Sequence, residues 1–148
     1  MLFRSKIAAA SYDFDFNAHI NLFISSEGGE LYSSLAASDR IKSSKIPIHT
    51  IVEGIAASGA TIISISGAKR FIRKHSLMLI HQLSSEFWGN YAQIEDEKKN
   101  LDLLMKIIKE VYLKNTKIPE SQLESLLKHD LCLDANECLK YGLVDKII

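Results

Sequence analysis

Between Ile20 and Ser25 the chain reads Ile-Asn-Leu-Phe-Ile-Ser, a short apolar run stopped by Glu27-Gly28-Gly29. This pattern predicts a buried strand that ends in a tight turn. Leu31, Leu35 and Ile41 then share one helical face, with the small residues Ser34, Ala37 and Ser38 beside them. Ile48 to Val52 is β-branched and predicts a strand, which Gly54 is expected to close. Ser58 to Ser66 follows as a compact helix of small and apolar residues. Arg70 to Arg73 and Leu77 to Ile80 predict two more short strands, the second delivering the chain to His81-Gln82.

The clearest helical period runs from Gln93 to Lys114, where Leu101, Leu104, Met105, Ile108, Val111 and Tyr112 recur at three and four. Glu95, Asp96 and Glu97 are expected to favour its electropositive N-terminal end. Pro119 opens a shorter helix that carries Leu123, Leu126 and Leu127. Asp134 can cap the next helix with Glu137 three residues on, and Tyr141-Gly142 ends it. Leu143 to Ile148 predicts a last strand. Strands alternating with helices imply parallel pairing, and hence an α/β fold. With no internal repeat, low-complexity linker or Pro/Gly-rich hinge, one domain over residues 1–148 is expected.

Composition narrows the field without naming a chemistry. The 148 residues are 47% hydrophobic and 24% charged, enough for a core that needs no disulfide or metal to fold. Eighteen basic residues balance eighteen acidic ones, which leaves no global electrostatic case for nucleic acid or an anionic membrane. Cys132 and Cys138 lack CxxC spacing and read as reduced thiols of a cytoplasmic-type protein. The best membrane candidate, Ile55 to Ala68, is short and broken by Gly59 and Gly67. Arg4 and Lys6 precede only Ile7-Ala-Ala-Ala before the charged Asp13 and Asp15, a poor secretory signal.

Ser58 stands in Gly54-Ile-Ala-Ala-Ser58-Gly59-Ala, where a strand gives way to a helix. Small neighbours allow a substrate backbone to approach, and a helix N-terminus offers unpaired amides to a developing oxyanion. A serine in this place reads equally as a helix cap or a small packing residue. His81 follows the apolar Leu77-Met-Leu-Ile80, so one ring nitrogen can face a serine and the other a carboxylate. It reads equally as a satisfied core histidine. His19, His49, His75 and His129 lack that setting and read as surface or packing residues. No histidine pair has the helical spacing of a zinc site, so no metal is expected. Asp130 is a loop carboxylate or helix terminator that spacing does not select over Asp134 or Asp145. Gly28-Gly29 forms a turn or presents amides to a ligand.

Taken together these segments resemble the ClpP family, the proteolytic subunits of ATP-dependent Clp serine proteases. Gly54-Ile-Ala-Ala-Ser58 resembles the family's nucleophile motif, and Leu79-Ile80-His81-Gln82 its histidine motif. Ser26-Glu27-Gly28-Gly29 is similar to its substrate-binding turn, and Gly67-Ala68-Lys69 and Tyr141-Gly142-Leu143-Val144-Asp145 to two further segments. Counting back from Tyr141-Gly142, the resemblance places the triad carboxylate at Asp130.

The resemblance implies a crotonase-like, ClpP-type spiral of short parallel β-α units with a protruding handle, Leu83 to Lys114. It implies seven-membered rings of identical chains, two of them stacked. It also implies a serine endopeptidase acting on unfolded proteins or peptides, with Ser58 as nucleophile, His81 as base and Asp130 as its orienter. Gly28 belongs to the substrate-binding turn, and the amides of Gly29 and Gly59 would hold the oxyanion. No cofactor is implied. ATP would be used by a partner AAA+ unfoldase, since this chain has no GxxxxGK[ST] loop. The setting implied is the cytoplasm, or an organellar stroma or matrix.

The chain departs from the family pattern at Glu27, where a proline is usual, at Gly59, where a methionine is usual, and at His129, where an arginine is usual. Its segment Leu83-Ser-Ser-Glu-Phe-Trp-Gly89 is bulkier than the family's, and with about twenty residues before Ile20 the family's usual N-terminal axial segment is expected to be missing. Competing readings are a non-catalytic ring subunit, an acyl-CoA enzyme on a crotonase-like scaffold, and a Ser/Lys peptidase. Retention of Ser58, His81 and Asp130 together favours the active peptidase.

Overall fold

The computed structural model describes residues 18–148; the segment from Arg4 to Asp15 that reads as a poor secretory signal lies outside the described residues. In chain order the elements are β1 (Ile20–Ser26), α1 (Leu31–Lys42), β2 (Ile48–Ala57), α2 (Gly59–Ser64), β3 (Lys69–Ile72) and β4 (Leu77–Leu79). They continue with α3 (Tyr91–Asn115), α4 (Glu120–Leu127), β5 (Cys132–Leu133), α5 (Ala135–Lys140) and β6 (Lys146–Ile147). The α/β expectation holds, and the sheet is mixed rather than wholly parallel. Pairs β1–β2, β2–β3, β2–β4 and β3–β6 run parallel, whereas β5 runs antiparallel to β4 through Leu79↔Cys132 and Met78↔Leu133. Strand β5 is only two residues long and lies in the seven-residue connection between α4 and α5.

Gly54 does not close β2. The strand runs through it, pairing with β3 over His49–Val52 and with β4 over Ile55–Ala57. At φ +79° Gly54 adopts a conformation that side chains rarely take, and its amide donates to the buried Ser76 Oγ at 2.8 Å. Opposite it the β1 register slips between Ile24 and Ser26, so the extra residues form a bulge that re-aims the strand. The end of β2, and with it Ser58, is thereby carried from β3 towards β4.

Other boundaries shift for local reasons. Helix α2 is shorter than Ser58 to Ser66, and β6 is shorter than Leu143 to Ile148. The first turn of α3 carries no acidic residue; Asn90 and Gln93 form a capping box there, so Glu95, Asp96 and Glu97 fall beyond it. Asp134 and Glu137 form the expected box at α5. Val52, Ala56, Ile72, Met78, Leu123 and Leu143 lie at the centre of the core. Arg70 ties β3 to the chain's end: its guanidinium meets both oxygens of Asp145, at 2.5 and 3.1 Å, and donates to the carbonyls of Asn115 and Gly142. Among the described residues no helix is long and apolar enough to cross a membrane.

Candidate active site

Ser58 is the single residue between β2 and α2. Its backbone, at φ 53° and ψ −127°, is the only positive-φ non-glycine conformation among the described residues. Such a conformation costs about 1–3 kcal/mol and persists only where surrounding bonds over-determine it. They do: the Ser58 amide donates to Leu79 O at 2.9 Å, and its carbonyl accepts from Thr61 N at 3.0 Å and Thr61 Oγ1 at 2.5 Å. The hydroxyl makes no capping hydrogen bond, so the side chain is not spent as a helix cap. It faces an open cleft of about 220 Å³ shared with Gly29, Gly59, His81, Ile62 and Ile108.

The same β4 residue that anchors Ser58 leads directly to the histidine. After Leu79 the strand ends, Ile80 is buried, and Gln82 N donates to Leu127 O at 2.7 Å, which fixes the backbone on the far side of His81. His81 Nδ1 lies 3.3 Å from Asp130 Oδ1, leaving Nε2 for the cleft. Asp130 sits between α4 and β5 with a side chain 79% exposed. The two other carboxylates that spacing leaves open are engaged elsewhere: Asp134 caps α5 and Asp145 holds Arg70. Ser58 and His81 share the cleft without a direct hydrogen bond among the described contacts. Catalytic hydrogen bonds are often long in unliganded sites and tighten when substrate binds.

The glycines divide into two roles. Gly28, at φ +108°, packs so closely under the turn that a Cβ there would sit 2.7 Å from Ala57 O and Ser58 Cβ. Its amide donates to Ser26 Oγ at 3.1 Å, so it supports the site without offering a free donor. Gly29 and Gly59 line the cleft, and their amides meet no protein acceptor among the described residues. A Cβ on Gly59 would meet Ser34 Oγ at 2.2 Å, so a side chain there would require the Ser34 hydroxyl to rotate away. Glu30 caps α1 by accepting from the Tyr32 and Ser33 amides and the Ser33 hydroxyl, and these bonds hold its carboxyl below the usual range.

Two residues of the site escape a reading by periodicity. Tyr112 looks like an apolar face position of α3, yet its hydroxyl is hydrogen-bonded to Thr61 Oγ1. The available signal is Thr61 itself, a hydroxyl three residues past Ser58 in an otherwise small and apolar turn. Away from the cleft, His19 and His49 stack with ring centroids 4.2 Å apart, and His49 meets the edge of Phe71.

An α/β sheet that delivers a serine on a sharp strand-to-helix turn, opposite a histidine backed by a carboxylate, has the parts from which nucleophilic hydrolases are built. The model of the Clp protease family matches residues 11–148, and the chain belongs to that family. It is 34% identical over 131 residues to the ATP-dependent Clp protease proteolytic subunit of Deinococcus radiodurans. That alignment covers 87% of this chain and 64% of the relative, so the chain spans under two thirds of the relative's length.

Proposed function

We propose that this chain is a serine endopeptidase, the proteolytic subunit of a Clp-type protease acting on unfolded proteins or peptides. The observation that carries the reading is the strained Ser58 turn, whose uncommitted hydroxyl faces the His81 cleft. Ser58 Oγ attacks the peptide carbonyl while His81 Nε2 takes its proton, and Asp130 steadies the imidazole through Nδ1. The amides of Gly29 and Gly59 receive the oxyanion as the carbonyl becomes tetrahedral. His81 then returns the proton to the leaving amine, and water hydrolyses the acyl-enzyme by the same route. No cofactor is needed for these steps.

The same reading takes the chain as one domain with the crotonase-like spiral fold, and α3 with the segment before it as the handle between rings of identical chains. Support comes from the large apolar side chains left exposed there, Phe87, Trp88, Ile94 and Leu103. An AAA+ unfoldase supplies the ATP-driven unfolding, in the cytoplasm or an organellar equivalent. Labelling with a fluorophosphonate and mapping the modified residue tests the core of the proposal. Modification of Ser58, abolished in Ser58→Ala together with roughly 10⁶-fold of turnover, is expected. Labelling that persists in Ser58→Ala would move the nucleophile elsewhere.

A further inference from the structure

We infer that Tyr112 and Thr61 are positioning residues that lock the Ser58 turn from α3, through the chain Tyr112 Oη–H to Thr61 Oγ1 and Thr61 Oγ1–H to the Ser58 carbonyl. The inference rests on the reading of Ser58 as nucleophile. The direction of the chain follows from counting protons. Thr61 has one hydroxyl hydrogen, and the 2.5 Å contact with a carbonyl that cannot donate uses it. The bond between the two hydroxyls must then be donated by Tyr112. Tyr112 is 2% exposed, and burial pushes its phenol up to about 12, so the donor keeps its proton wherever the protein works.

The placement gives the chain its consequence. Thr61 lies in the first turn of the six-residue helix α2, directly after the positive-φ Ser58. Tyr112 is one of two buried residues of α3, and with the other, Ile108, it lines the cleft that holds Ser58. With both bonds made, the Ser58 carbonyl accepts two hydrogens from Thr61 while its amide donates to Leu79 O, so the peptide groups on both sides of the nucleophile are held. Loss of the Tyr112 hydroxyl leaves Thr61 free to rotate and bond elsewhere. The aim of Ser58 Oγ loosens, whereas the apolar lining that binds substrate is kept.

Tyr112→Phe and Thr61→Val are the test, each changing a hydroxyl and little volume. The expected result is a fall in kcat and in the rate of Ser58 labelling of roughly 10–100-fold, with KM within about twofold. Thr61→Ser is expected to recover most of what Thr61→Val loses. The double variant is expected to lose no more than Thr61→Val alone, because the two bonds act in series. Wild-type rates in Tyr112→Phe, or losses that multiply in the double variant, overturn the inference. Should Ser58 of the wild-type protein resist labelling altogether, the peptidase reading falls. Hydrogen exchange of the Thr61 amide then decides the clamp: faster exchange in both variants upholds it, and unchanged exchange removes it.

Discussion

The two ends of α3 belong to different environments although the helix is continuous. Towards its C-terminal end Ile108 and Tyr112 are buried, Met105 and Val111 pack against the core, and Thr116 and Asn115 close the last turn onto α3 carbonyls. Towards its N-terminal end no residue is buried; the helix is held by its capping box and by exposed pairs such as Tyr91–Glu95 and Lys98–Asp102. Each such pair contributes well under about 1 kcal/mol. Leu103 is nevertheless 57% exposed, and Trp88, just before the helix, is 96% exposed. One end of α3 thus lines the cleft that holds Ser58. The other has apolar surface but no core of its own.

The largest expected effects lie in the cleft beneath the buried end. On the proposed mechanism, Asp130→Asn should lower turnover by on the order of 10⁴ while sedimentation is unchanged, because it disturbs the tautomer of His81 and touches no packing. Steady-state peptide hydrolysis with sedimentation of the same sample measures both. Full activity in Asp130→Asn, with loss in Asp134→Asn, would show the orienting carboxylate to be the wrong one.

Stability separates the two ends of the helix more gently. Ile108→Ala removes a buried side chain and is expected to cost about 2–5 kcal/mol in urea unfolding. Leu103→Ala should change the stability of the isolated protomer by no more than about 0.5 kcal/mol and instead weaken association. Equal destabilisation of the protomer by the two substitutions would erase the contrast.

The smallest effect lies at the Arg70–Asp145 ion pair, beside the C-terminal end of α3. Hydrogen bonds from the Arg70 side chain hold the Asp145 carboxyl below the usual range, outweighing the opposing effect of its partial burial. A carboxylate with a depressed folded-state pKa contributes stability that is complete above the unfolded value of about 3.9 and is lost as pH falls through the lower folded value. Asp145→Asn should therefore be less stable than the native protein at neutral pH, by a margin that narrows below about pH 4. Unfolding series from pH 7 to 2.5 follow that margin. A constant margin down to the acid end would show that the Arg70 contact does not depend on Asp145 ionisation.

Much of this organisation is written locally. The caps at Asn90 and Asp134, the apolar stripe of α3, the Gly28-Gly29 turn and the alternation of short strands with helices all follow from how near neighbours meet. Ser58 and His81 stand in motifs a few residues long, and their strand-end settings are visible for the same reason. Contacts between distant segments are different, because periodicity says which face is apolar and not what will cover it. Gly54 reads as a stop, but a neighbouring β4 turns it into a bend through which β2 changes partner. Cys132-Leu133 carries too few residues to announce a strand, and only the exposed edge of β4 makes it one. Tyr112 looks like one more apolar face residue until folding sets its hydroxyl against Thr61, fifty-one residues away along the chain. Among the carboxylates that spacing leaves equal, Asp130 reaches His81 while Asp134 is drawn to the Glu137 amide of α5 and Asp145 to Arg70. Each of those choices is a competition among partners far apart in sequence, and packing alone brings the competitors together.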